Sequence, residues 1–258
     1  MGRLDDYRRT LASLADWDDT LRRESGLPGP RGNLELAHAV ADVGDAALFD
    51  RYRALDASVA PTNTSGEFLA FCGVLGLGRL AAEGDTGALD KLRGHAADPR
   101  WRVREAAATA LQLYGDADMA GLVALMADWA RGSRLEQRCA VAALCEPRLL
   151  RDEMVAARVL AILDGITATL VAAPDRRTDD YRVLRQTLGY GWSVAVAAAP
   201  AVGLPYLDRW LANADPDVQW VMRENLKKKR LEKAAPEWLG EVMNPDECSR
   251  YGRGRDAK

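Results

Sequence analysis

The sequence predicts an all-α fold: an α-solenoid of stacked antiparallel helical hairpins, wound as a right-handed superhelix with a concave groove. Three observations carry that expectation. One phrase opens two helices far apart in the chain, at Asp98-Pro99-Arg100-Trp101-Arg102-Val103-Arg104-Glu105 and again from Asp215-Pro216 through Trp220-Val221-Met222-Arg223-Glu224. Each joins Asp-Pro to Trp-x-x-Arg-Glu. Weaker relatives of the phrase surround Arg138 and Arg185, so Arg104, Arg138, Arg185 and Arg223 follow one another at steps of 34, 47 and 38 residues. Recurrence at that period marks repeats that bury their apolar faces on one another. Finally, no run of alternating β-branched residues occurs, so essentially no sheet is expected.

Taken in order, residues 3–25 read as one long amphipathic helix, with Leu4, Tyr7, Leu11 and Leu14 on a stripe. The run Leu27-Pro28-Gly29-Pro30-Arg31-Gly32 breaks it. Helices follow near 34–43 and 45–55. The loop Pro61 to Gly66 ends in cap-type residues, and the next helix runs to about Ala82 before Gly84-Asp85. Then come Leu89 and Leu92, a helix from Pro99 to Tyr114, Leu122 to Trp129, and a helix near 135–145. A long helix covers 152–173. The polar loop Asp175 to Asp180 accounts for the 47-residue step. Helices near 181–198, 203–213, 217–233 and 236–243 complete the series. The expectation is one solenoid domain over 1–244, its repeats plainest over 84–240, with a disordered tail at 245–258.

Asp-Pro at a helix start has a mechanism. Aspartate accepts hydrogen bonds from free amides and suits the positive end of the dipole. Proline at the first helical position loses nothing, because its missing N–H would be unpaired there. Asp98 and Asp215 are therefore expected to be structural.

Charge bounds the partners. The 258 residues carry a net charge of −3, which does not mark the whole molecule as a polyanion binder. Residues 1–99 hold 11 basic and 16 acidic side chains, residues 100–151 hold 8 and 6, residues 152–222 hold 6 and 9, and residues 223–258 hold 10 and 7. Any basic surface should thus involve the middle repeats and the C-terminal end.

On the 99–114 helix, Val103, Ala106, Ala107, Ala110 and Tyr114 form the core stripe, and Trp101 falls roughly 160° from Val103. Trp220 lies about as far from the stripe of Val218, Val221 and Met222. Arg104 and Arg223 are their i+3 neighbours. The expectation is an indole beside a guanidinium at two places. Such pairs suit nucleic acid, guanidinium on phosphate and indole on a base, but an off-stripe tryptophan also suits burial between repeats. The densest basic run is Lys227-Lys228-Lys229-Arg230; on one continuous helix Arg223, Lys227 and Arg230 would share a face. The groove-binding candidates are therefore Trp101, Arg104, Trp220, Arg223, Lys227 and Arg230.

The Asp-x-x-x-x-Val-Arg-x-x-Ala-x-x-Ala-Leu style of Asp98 to Leu111, and Leu77-Gly78-Arg79-Leu80-Ala81-Ala82-Glu83-Gly84-Asp85, resemble HEAT repeats over about residues 70–240. Within that class, Trp220-Val221-Met222-Arg223 through Pro236-Glu237-Trp238-Leu239 resembles the late repeats of HEAT-like DNA alkylation-repair glycosylases, and Trp101 to Arg104 resembles one of their groove helices. The resemblance implies a basic concave groove that cradles damaged duplex DNA and excises alkylated purines with tryptophan, aspartate and arginine. The sequence departs from it: the mid-chain Trp-Asp-x-x-Asp style is absent, and the only Trp-Asp is Trp17-Asp18-Asp19. No aspartate is thereby placed to stabilise an oxocarbenium-like centre.

Other chemistry is not signalled. Cys72, Cys139, Cys145 and Cys248 form no Cys-x-x-Cys, and with only His38 and His95 no zinc spacing arises. Gly73-x-x-Gly76-x-Gly78 sits in an apolar helix, where glycines permit close packing. The paired carboxylates Asp179-Asp180 and Asp16-x-Asp18-Asp19 read as solvated. The longest apolar stretch, near 193–207, holds Pro200 and Pro205 and is too short to span a bilayer. With Asp5 and Asp6 in place of an apolar run, no secretory signal is expected. The reading is a cytoplasmic, non-catalytic binding or scaffold protein, with no catalytic residue, cofactor or metal and no membrane association, whose groove takes a protein partner. Nucleic acid, through the alkylpurine-glycosylase type, is the alternative.

Overall fold

The computed structural model describes residues 2–243. The expected disordered tail and Cys248 lie outside them. Among the described residues there are fifteen α-helices and no strand. The chain divides into two compact units, Met1–Ala143 and Leu144–Lys258.

In the first unit, the single helix expected over 3–25 is two: α1 (Arg3–Ala12) and α2 (Asp18–Glu24). The break falls where the Ser13 hydroxyl donates to the Thr10 carbonyl (2.7 Å) and the Asp18 amide donates to the Asp16 carboxylate (3.3 Å). Such local side-chain bonds offer the backbone an alternative to the helical ladder. Next, α3 (Leu34–Val43), α4 (Ala46–Arg53) and α5 (Ser65–Ala82) start on the side-chain caps Asn33, Asp45 and Thr64. Gly84, at φ 102°, turns the chain into the Asp85 cap of α6 (Thr86–His95). Then follow α7 (Trp101–Ala117), α8 (Met119–Trp129) and α9 (Arg134–Leu144).

Helix α5 is the core of this unit. It packs on α3, α4, α6 and α7 and is buried almost continuously from Gly66 to Gly78. Its glycines make that closeness possible. A Cβ at Gly76 would lie 2.3 Å from the Phe49 ring, and one at Gly78 would lie 2.3 Å from the Ala110 carbonyl oxygen. By length and composition α5 and α10 (Glu153–Val171) are apolar enough to cross a bilayer, but 78% of the α5 span is inside the fold, as in a core helix. The span of α10 is 39% buried, along the stripe Ala156, Val159, Leu160, Leu163, Ile166 and Leu170.

The second unit continues from α10 with α11 (Asp179–Ala198), α12 (Pro200–Leu211), α13 (Pro216–Leu226), α14 (Lys229–Ala234) and α15 (Pro236–Met243). Here α11 is the centre, packed by α10, α12, α13 and α14. The helix expected over 217–233 is broken into α13 and α14. Buried Asn225 explains where: its amide donates to the Leu188 and Val221 carbonyls (2.8 Å each) and accepts the Ser193 amide (2.8 Å). That clamp holds the end of α13 on α11, and the turn after it lets Leu231 bury on the same helix.

Candidate functional site

The two repeated phrases build different objects. At the first, Asp98 does not cap α7. The helix begins at Trp101, behind Arg100, with no side-chain cap. The Asp98 carboxylate instead accepts the Arg100 amide (2.8 Å) and clasps its guanidinium at Nε (2.9 Å) and Nη2 (2.8 Å). Arg100 is 2% exposed, and its Nη1 donates to the carbonyls of Leu55 (2.8 Å) and Ala60 (3.0 Å). Burial pushes the Asp98 carboxyl up, but the Arg100 bonds outweigh it and hold the group below the usual carboxylate range. The Asp98–Arg100 pair therefore staples the segment that leads into α5.

Trp101 lies off the core stripe, as the 100° periodicity predicts, and is 47% exposed. The guanidinium stacked on it belongs to Arg102, 4.4 Å from the ring centroid, and not to Arg104. Helical side chains lean toward the N-terminus. Arg104 accordingly folds back over the first turn and donates to the carbonyls of Asp98 (2.7 Å) and Pro99 (3.1 Å).

Arg102 is itself buried. Its Nη1 reaches the wholly buried Glu67 carboxylate (3.2 Å) and its Nη2 donates to the Gly29 carbonyl (2.8 Å). Glu67 stands three residues after the Thr64 cap and also accepts the Asn63 amide (2.7 Å), while the Gly29 amide donates to the Asn63 side chain (3.0 Å). Loop, cap and helix start are thus tied around one ion pair. Glu67 Oε1 and Arg102 Nε remain buried with no hydrogen-bond partner.

This knot backs a pocket of about 260 Å³ lined by Leu27, Leu34, Phe68, Phe71, Trp101 and Arg102. The Phe68 and Phe71 rings stack with centroids 6.5 Å apart. Arg31, Glu105 and Thr109 also line it. Glu105 is engaged by Arg138. Arg31 is exposed and makes no hydrogen bond or ion pair among the described residues.

At the second phrase the cap forms as expected. Asp215 accepts the amides of Asp217 (3.0 Å) and Val218 (3.3 Å), and Pro216 takes the first helical position. Trp220 sits a turn further in than Trp101 does, because it follows its Asp-Pro aspartate by five residues instead of three. There α11 covers it. Trp220 is half-buried, and a Cβ at Gly189 would lie 3.1 Å from its ring. The stacked guanidinium is that of Arg185 on α11, 4.4 Å away, and not that of Arg223, which is exposed. Arg185 in turn donates to Asp217 (2.5 Å), which also accepts the Tyr181 hydroxyl (2.7 Å) and an Arg176 bond (3.3 Å). Arg176 pairs with Asp215 as well (2.7 Å). Burial raises the Asp217 carboxyl, yet the bonds from Tyr181 and Arg185 bring it below its ordinary range.

The basic run does not make the expected face. Lys227 ends α13 and pairs with Glu224 (2.5 Å), Lys228 precedes α14, and Lys229 and Arg230 are exposed on the next helix. With the helix interrupted at 227–228, Arg223, Lys227 and Arg230 do not lie along one continuous helical surface.

Of the remaining chemical candidates, Asp16, Asp19 and Asp179 are exposed, in keeping with solvated carboxylates. Asp18 accepts the Tyr52 hydroxyl (2.6 Å) and pairs with Arg51 (3.0 Å). Cys72, Cys139 and Cys145 are buried free thiols, and burial pushes the thiols of Cys139 and Cys145 up to about 12. Among the described residues no group of three His, Cys, Asp or Glu side chains is placed to hold a metal ion. The residues that sequence reasoning passed over are Glu67, Arg102, Phe68, Phe71 and Arg31. The Thr64-x-x-Glu67 spacing of a capping box was the legible signal for Glu67.

No family model and no curated protein matches the chain. Among solved structures, the crystal structure of an engineered protein aligns with 91% of this chain and 98% of its own, at 16% identity and a TM-score of 0.36.

Proposed function

We propose that this chain is a non-catalytic HEAT-type α-solenoid that binds a protein partner through the Trp101 pocket. The solenoid reading is supported by the recurring phrases and by the contacts α3 with α5, α5 with α7, and α11 with α13, in which alternate helices pack together within each unit. The observation that carries the binding reading is Trp101 itself. A tryptophan 47% exposed at the mouth of an aromatic pocket is the kind of anchor on which protein interfaces concentrate their energy. The nucleic-acid alternative has less behind it. Phosphate binding draws on several cations gathered along one surface, whereas Arg102, Arg104 and Arg185 are bound to protein acceptors and the exposed Arg223 and Arg230 do not lie along one continuous helical surface.

Two measurements test the reading together. A photo-crosslinker placed at exposed Leu34 should form a discrete protein adduct in an extract of the source cells. Trp101→Ala should suppress it, and the same crosslinker at exposed Val59 should form none. Fluorescence anisotropy with a short duplex, plain or carrying an alkylated purine, should show no lesion preference across a salt series. Lesion-preferring, salt-weakened binding would replace this reading with the alkylation-repair one.

A further inference from the structure

The pocket beside Trp101 has a size and a charge pattern that narrow its occupant. Sites for drug-sized ligands run to about 300–1,000 Å³, and this one, at about 260 Å³, has room for one bulky side chain or a single ring. Its walls are apolar and aromatic. The charges around it are unequal in availability. Glu67 is spent on Arg102, and Glu105 on Arg138. Glu35, the next carboxylate along from Arg31, pairs with Arg3 at 3.4 Å. Arg31 alone of the charged lining residues carries a guanidinium with no acceptor among the described residues. The pocket therefore offers an apolar slot with one uncompensated cation at its exposed edge. A partner that filled the slot with an apolar group and brought no anion would leave that cation beside a freshly desolvated surface, which is unfavourable. One that brought a carboxylate would gain a charge-assisted hydrogen bond, bidentate if the geometry allows.

We infer that the pocket binds a short acidic peptide segment of the partner protein, seating one bulky apolar side chain among Phe68, Phe71 and Trp101 with an adjacent Asp or Glu on Arg31. This rests on the protein-binding reading and names the chemistry of the partner. The loop that carries Arg31 is held by the Gly29 bonds to Arg102 and Asn63, so the cation is attached to a fixed rim.

The test is selection of random twelve-residue peptides on the full chain, followed by anisotropy with labelled synthetic peptides. The expected consensus is an aromatic residue or leucine next to Asp or Glu. Arg31→Glu, a change at an exposed position, should weaken a selected peptide by about tenfold and shift the flanking preference to Lys or Arg while the apolar anchor persists. Thr109→Phe and Trp101→Ala should each abolish binding; Thr109→Phe fills the slot, and a thermal melt establishes that both variants fold. Selected peptides that bind these two variants as well as they bind the parent chain would overturn the pocket assignment and leave the chain a peptide binder through another face. An unchanged flanking preference in Arg31→Glu would remove Arg31 from recognition and overturn the acidic-segment inference. Failure to select any peptide would also overturn it, and the Leu34 crosslink would then decide the broader reading on its own.

Discussion

The starts of α7 and α13 share their letters and differ in their use of them. Each has Asp-Pro and Trp-x-x-Arg-Glu, but the aspartate clasps a buried arginine in the first and caps the helix in the second. Two more residues between aspartate and tryptophan carry Trp220 a turn deeper, under α11, whereas Trp101 stays in the first turn with one flank open. In both places a guanidinium stacks on the indole at 4.4 Å, supplied by the adjacent residue Arg102 in one and by another helix in the other. Periodicity within a helix thus says which side chains leave their own stripe. It does not say whether a neighbouring helix then covers them.

The largest difference between the regions should appear in their ion pairs. Glu67→Ala strips the buried Arg102 of its carboxylate and should cost about 3–5 kcal/mol, read from the midpoint of urea unfolding. A loss under about 1 kcal/mol would show that the pair is solvated and the knot loose. At the second phrase, Asp217→Asn weakens bonds from buried Tyr181 and from Arg185 and Arg176 at once, but Asp217 and the two arginines are partly exposed, so about 2 kcal/mol is expected. Equal losses at the two sites would erase the distinction drawn between them.

The tryptophans themselves come next. Trp220→Ala removes a half-buried ring packed on Gly189 and Arg185, and about 2 kcal/mol of stability should go with it. Trp101→Ala should cost less than about 1 kcal/mol, since nearly half of that residue faces solvent. The reverse order in thermal melts would mean that the covered and open rings have been exchanged.

The smallest effect is on pH. Burial is the main cause that lowers His95 from its ordinary 6.5, with Arg53 and Arg100 adding to it against Asp98. A folded-state value below the unfolded one means His95 contributes fully above about pH 6.5 and loses that contribution as pH falls through the folded value. Asp217, lowered from 3.8, contributes above that value and loses its share only below it. Between pH 7 and pH 5 the chain should therefore lose a little stability through the first unit. His95→Gln should flatten that slope, and an unchanged slope would assign it elsewhere.

Much of the helix series was legible because helix signals are local. Thr64 and Asp215 cap where cap-type residues were read, whereas Asp98 does not, and Gly73-x-x-Gly76-x-Gly78 marks the close approach onto α5. The two misjudged helices failed for a shared reason. Apolar residues continue across 13–17 at Leu14, Trp17 and Leu21, and the basic run 227–230 holds no Gly or Pro to mark a stop, so sequence pattern bridges breaks that side-chain hydrogen bonds impose at Ser13 and Asp16 and that the Asn225 clamp imposes on α13. The candidate site was legible only at Trp101. Its other walls come from Leu27, Phe68 and Phe71, 30 or more residues earlier in the chain, and Arg102 reads as one more surface arginine until the carboxylate of Glu67 is placed against it.

The central claim, that one phrase presents its tryptophan and the other packs it, is open to direct measurement. In a chain labelled with 5-fluorotryptophan, single Trp→Phe changes assign the seven ¹⁹F resonances. The resonance lost in Trp101→Phe is expected to show the largest solvent isotope shift between H2O and D2O, well above that of Trp220. A Trp220 shift equal to or greater than that of Trp101 would contradict it.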